Sequence, residues 1–178
     1  LPLHLTMDYG VNDPTSLIWI QPSGSEFRVI DYYEGKDASI DHYVSVIRAK
    51  PYKTVELYTG DDAGRARTLT TGTSVIDELQ KHGIYVRTTP GLKIPDQIRL
   101  THQNIKSLFV DSKLTRFRDC LLNYRYPELN PAVREQSNEI PIHDEFSHAM
   151  RALEYYFVNY KGENKSYDDI NQLTINKW

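Results

Sequence analysis

Three short runs of alternating apolar residues fill the first 33 positions, and a β-meander is the architecture they allow. Leu3 to Asp8 is the first run, Ser16 to Ile20 the second and Phe27 to Tyr33 the third. Asn12-Asp13-Pro14 separates the first two as a turn, and Gln21 to Ser25, with Pro22 and Gly24, reads as a hairpin loop between the others. The first strand ends on an acid, Asp8, followed by Tyr9-Gly10. A carboxylate at the end of an apolar strand is costly unless it is paired or holds a metal. The alternative is a surface aspartate that closes the strand into a turn.

Beyond the meander, helices and strands alternate. Ser39 is placed to cap a helix with Ile40, Tyr43, Val44 and Ile47 on one face. Val55 to Tyr58 reads as a fourth strand ending at Thr59-Gly60. Ser74 with Asp77 three residues on predicts a capping box, and Gly83 ends that helix. Tyr85-Val86-Arg87 is a short fifth strand, and Pro95 opens another helix. Phe109 to Asp111 is extended, and Ser112 is expected to cap a helix bearing Leu114, Phe117 and Leu121. Pro127 to Pro141 is a polar excursion. Asp144 is expected to begin the last helix, with Phe146, Met150, Leu153 and Phe157 facing inward. This order predicts an α/β fold, a mixed sheet with helices on both faces. Residues 1–160 form the expected domain, and 161–178 a polar tail.

The 178 residues suffice for one domain with a real core, and no apolar run approaches the roughly 20 residues of a membrane helix. A single cysteine, Cys120, permits no internal disulfide and points to a reducing, cytosolic setting. The net charge of −3 argues against a stand-alone nucleic-acid binder, though not against an enzyme that meets phosphate through metal ions. The chain opens on Leu1 and enters a strand almost at once, so we expect a domain of a longer polypeptide.

Three carboxylate positions carry the chemistry: Asp8, the Asp61-Asp62 doublet after the fourth strand, and Asp144. Strand ends of α/β sheets are where sites gather. Divalent Mg²⁺ or Mn²⁺ prefers hard oxygen ligands, and two such ions about 3.5–4 Å apart serve phosphodiester hydrolysis. Each position also has an ordinary reading: an Asp/Gly turn for Asp61-Asp62, a dipole-favoured helix acid for Asp144. His143 and His148 bracket the helix start and could assist a metal or serve as structural histidines. Arg65, Arg67, Arg116, Arg118 and Arg125 could grip phosphates, whereas Lys113 reads as solvated. There is no Gly-x-x-x-x-Gly-Lys loop for nucleotide hydrolysis, and one cysteine argues against zinc.

Taken together, these segments resemble the C-terminal nuclease domain of tailed-bacteriophage terminase large subunits, an RNase H-like domain. Met7-Asp8-Tyr9-Gly10-Val11-Asn12-Asp13-Pro14-Thr15 looks like the family's first motif. Leu57-Tyr58-Thr59-Gly60-Asp61-Asp62-Ala63-Gly64 looks like its second, with the metal-binding acid at Asp62. Pro141 to Ala149, with Arg151 to Tyr155, looks like its third, a His-Asp start followed by Ser-His. The spacings (62 − 8 = 54; 144 − 62 = 82) fit the same order. One position departs: Arg151 stands where many relatives carry aspartate, leaving Asp144 as the third ligand with Glu145 beside it.

The resemblance implies a metal-dependent DNA endonuclease that cuts concatemeric viral DNA, with Asp8, Asp62 and Asp144 holding two Mg²⁺ or Mn²⁺ ions. Asp61, His143, His148 and Arg65 would support them. It further implies double-stranded DNA as substrate, an N-terminal ATPase domain absent from this sequence, and portal and small-subunit partners in the host cytoplasm. Other RNase H-like nucleases, a junction resolvase or a transposase-like core, and an inactive docking domain are the competing expectations.

Overall fold

The computed structural model describes residues 2–10, 13–54, 56–60, 72–88, 92–128 and 140–160. Six strands form one sheet: β1 (His4–Asp8), β2 (Thr15–Ser23), β3 (Glu26–Gly35), β4 (Glu56–Thr59), β5 (Val86–Arg87) and β6 (Leu108–Val110), in the order β5-β4-β1-β2-β3-β6. β1, β2 and β3 are the expected antiparallel meander; β4 joins β1, β5 joins β4 and β6 joins β3 in parallel. The five described helices are α1 (Ile40–Arg48), α2 (Val75–Lys81), α3 (Ile94–Asn104), α4 (Thr115–Asn123) and α5 (Ser147–Asn159).

Alternation along the strands builds two cores, one on each face. Leu3, Leu5, Met7, Leu17 and Trp19 pack with Tyr43 and Val44 of α1 and with Val75 and Leu79 of α2. Ile18, Ile20, Phe27 and Val29 pack with Phe117 and Cys120 of α4 and with Met150, Leu153 and Phe157 of α5. The Cys120 thiol is buried, and burial pushes its pKa up to about 11, so it is a core residue rather than a nucleophile. The capping box at Ser74 and Asp77 forms as predicted, and Pro95 sits in the first turn of α3.

Three local expectations are corrected. Gln21 to Ser25 is not a loop: β2 continues to Ser23, and only Gly24-Ser25 turn, with Gly24 at φ 61°. Pro22 is tolerated there because β1 pairs only as far as Ile20, so no ladder partner needs its missing N–H. Ser112 does not cap α4; Asp111 Oδ1 takes the Lys113 N–H instead, and the cap position falls on Leu114. Asp144 does not begin the last helix. Its carboxylate accepts from the Phe146 N–H at 3.0 Å, which closes a separate turn, and α5 starts at Ser147. The expected tail, 161–178, and most of the expected Pro127–Pro141 excursion lie outside the described residues.

Candidate functional site

β1 is buried on both faces, and its α5 face is polar: His4, Thr6 and Asp8. Each meets a residue of α5. Tyr156 Oη lies 3.3 Å from His4 Nδ1, Thr6 Oγ1 donates to the Ala152 carbonyl at 2.6 Å, and His148 Nδ1 lies 3.4 Å from Asp8 Oδ2. The spacing explains the ladder. Two residues along a strand advance about 6.7 Å and four along a helix about 6 Å, so every second strand residue meets every fourth helix residue. The sequence thus places His148 on Asp8 through the same repeat that places Ala152 on Thr6.

Asp8 sits at the carboxyl end of this central strand, with its side chain 12% exposed and that of His148 6%. Asp8 raises the His148 pKa above 6.5 by hydrogen bonding, and burial only partly opposes it. Across the sheet Asp8 stands in register with Ser16 and Ser16 with Glu34, so all three share the α5 face. Glu34 takes the Tyr32 hydroxyl at 2.5 Å and two Arg116 nitrogens at 3.2 Å each.

Just past β1, Gly10 lies against Asp13. A Cβ on Gly10 would lie 2.2 Å from the Asp13 carbonyl oxygen, so only glycine fits. Asp13 in turn reaches His143, with Oδ2 3.3 Å from Nε2. The His143 and His148 rings stand edge to face at 4.9 Å between centroids. Among the described residues, Asp13, His143 and His148 form the set of three metal-competent side chains whose ligand atoms all lie within 4.8 Å of one another.

Asp144 is held differently. Its Oδ2 lies 3.3 Å from Arg125, and Glu145 lies 3.3 Å from Arg116. The residue of this segment that touches Asp8 is His148. Asp61, Asp62 and Arg65 lie outside the described residues. The chain leading to them passes Gly60, where a Cβ would come 2.4 Å from the Tyr155 ring of α5. Arg151 lies over that ring at 4.9 Å and bonds to the buried Glu154, which also accepts from Tyr124 at 3.0 Å. Burial pushes the Glu154 carboxyl up to about 7, with Arg151 and Tyr124 offsetting part of the rise.

Sequence reasoning passed over Asp13, read there as a turn residue, and Glu34. An acid five positions past Asp8, beyond an obligatory glycine, was the available signal for Asp13. Glu34 becomes visible only through the strand register.

No family model and no curated protein matches the sequence. Solved structures do match by fold. The large terminase of a thermophilic bacteriophage, in complex with ADP, superposes with a TM-score of 0.68 at 15% identity, over 88% of this chain and 39% of that one. The chain thus spans about two fifths of that terminase. The large-terminase nuclease domain of bacteriophage SPP1, with bound Mn, gives 0.63 at 18% identity, over 89% and 86% of the two chains. The large-terminase nuclease of thermophilic phage G20c, with bound cobalt, gives 0.60 at 16% identity, over 89% and 81%. This chain has the RNase H-like fold of large-terminase nuclease domains.

Proposed function

We propose that the chain is a metal-dependent endodeoxyribonuclease, the nuclease part of a viral DNA-packaging terminase that cuts concatemeric genome DNA. The observation that carries this reading is the Asp8 carboxylate, buried at the end of the central strand of a terminase-nuclease fold and turned toward His148. A buried carboxylate beside imidazole, with Asp13 and His143 next to that imidazole, is a donor set that fits a divalent cation of the Mg²⁺ or Mn²⁺ class.

Asp8, Asp62 and Asp144 would hold up to two such ions. When bound, they supply a lowered water pKa and charge neutralisation at the scissile phosphate. The chain's own residues do the rest. Asp8 fixes the His148 ring, and the α5 ladder fixes Asp8. Arg125, with its side chain 57% exposed, can turn from Asp144 to a DNA phosphate, as can Arg116 from Glu145. The net charge of −3 leaves overall DNA affinity to the rest of a packaging motor: an ATPase domain on the same polypeptide, a portal and a small subunit, in the host cytoplasm.

Supercoiled plasmid incubated with the chain and Mn²⁺ tests the reading. Wild type converts it to nicked and linear forms, and folded Asp8→Asn, checked by circular dichroism, leaves it intact. Equal cleavage by both proteins, or none by wild type at any Mn²⁺ concentration, overturns it. Linear duplex, branched DNA and RNA–DNA hybrid in parallel separate a terminase-type nuclease from the resolvase and transposase-like alternatives.

A further inference from the structure

Arg116 on α4 is held by more partners than Arg125, the other arginine that meets the 144–145 segment. Of its five N–H groups, Nε and one on Nη2 bond the Glu34 carboxylate side-on, each at 3.2 Å. Nη2 also donates to the Glu145 carbonyl at 2.9 Å, and the guanidinium lies over the Phe146 ring at 5.4 Å. Glu34 is itself fixed, because it takes the Tyr32 hydroxyl at 2.5 Å. The plane and direction of the guanidinium are thus set before any ligand arrives, which removes much of the ordering cost of binding through a long side chain. The two N–H groups on Nη1 remain, and their partner among the described residues is the Glu145 carboxylate at 3.3 Å, on a side chain 67% exposed. Arg125 is held only by Asp144 and the Asn123 carbonyl, at 3.3 Å each, among the described residues.

An exposed carboxylate on a preset guanidinium uses the same donors that a phosphate oxygen would use. Glu34 stands two strands from Asp8 in the register Asp8–Ser16–Glu34, so the anchor of Arg116 lies about 10 Å from Asp8 on the same face of the sheet. We propose that Arg116 is a preset clamp for a phosphodiester oxygen of duplex DNA, and that the Glu145 carboxylate occupies the clamp as an internal competitor which the DNA displaces. Glu34 and Phe146 are the positioning residues behind it. Displacement costs little, because the Glu145 side chain is exposed and an ion pair at the surface is weak. The guanidinium stays on Glu34 throughout and exchanges one anion for another. The choice of duplex DNA as ligand rests on the nuclease reading; the fixed guanidinium and its exposed anion do not.

The test uses the 178-residue chain and a fluorescent DNA duplex in EDTA, so that binding is read without cleavage. Fluorescence anisotropy over a series of KCl concentrations gives the affinity and its salt slope. Arg116→Gln should weaken binding by about tenfold and lower the slope by about one, the loss of one phosphate contact. Arg116→Lys should restore the slope but only part of the affinity, because an ammonium keeps the charge without the two-pronged hold on Glu34. Glu145→Gln, at an exposed position that leaves the fold intact, should strengthen binding by about threefold. Arg48→Gln removes the same charge from α1, on the opposite face of the sheet, and should change neither quantity. Wild type that binds no duplex at low salt, Arg116→Gln with wild-type affinity and slope, equal losses in Arg116→Gln and Arg48→Gln, or Glu145→Gln that binds no more tightly than wild type each overturns the clamp. Arg116-dependent binding without Mn²⁺-dependent plasmid cleavage sinks the nuclease reading while the clamp stands. Asp8-dependent cleavage with duplex binding unaffected by Arg116→Gln does the reverse.

Discussion

The two ends of β1 carry the same device with opposite electrostatics. At one end His4 is buried among the rings of Tyr58, Tyr156 and Tyr160, and burial pulls its pKa below 6.5, with Glu56 offsetting only part. At the other end His148 is as deeply buried, yet Asp8 raises it above 6.5. Both histidines belong to one strand–helix ladder, and they differ in what stands across from them. Aromatic rings make the first end a structural clamp. A carboxylate, with Asp13 and His143 beyond it, makes the second a place for positive charge. Polarity inside a core therefore marks function only where charge converges.

The largest effect should separate the two ends directly. Asp8→Ala removes the charged centre, and plasmid cleavage with Mn²⁺ should fall by roughly a thousandfold or more. His4→Phe keeps a ring at the clamp and should leave the cleavage rate within about twofold while lowering Tm. Comparable losses in both variants would erase the distinction.

Next comes the buried acid one turn from the charged end. Glu154 has a raised pKa, so its neutral form is the one the fold favours. Its stabilising contribution is complete below its ordinary value of 4.5 and is lost as pH rises through about 7. Urea unfolding of wild type relative to Glu154→Gln should thus decline by up to about 3 kcal/mol between those pH values. A flat difference would show that Arg151 fully compensates the buried charge.

Gly60→Ala should cost about 1–3 kcal/mol, because the new methyl meets the Tyr155 ring, which Arg151 backs. Denaturant midpoints measure it, and an unchanged midpoint would mean that α5 can shift away from β4. The smallest effect is spectroscopic. In metal-free protein, proton NMR should show His148 titrating above 6.5 and His4 below it, and Asp8→Asn should lower only His148. The stability signs are likewise opposite. The His148 contribution is full below pH 6.5 and fades as pH rises through its raised value, whereas the His4 penalty grows as pH falls below 6.5.

Much of the frame was legible because local rules agreed with the global fold. Alternation placed β1, β2 and β3, Ser74 and Asp77 placed α2, and the 3.6-residue pattern placed the inner face of α5. Where local signals competed, they misled. Asp144 has the preferences of a helix cap, but it satisfies them within its own turn, three residues before α5 begins. The candidate site was legible in Asp8 and in the His143–His148 pair. It was not legible in Asp13, whose contact with His143 spans 130 positions. Nor could one sequence show that Arg125 rather than Asp8 would meet Asp144.

Anomalous diffraction from crystals of the chain soaked in Mn²⁺ is the most direct test of the charged end of β1 as a metal-dependent centre. The expected result is an Mn²⁺ peak in the cleft bounded by Asp8, Asp13, His143 and His148. Saturating Mn²⁺ that leaves this cleft without a peak, or that binds only elsewhere on the surface, would contradict the account.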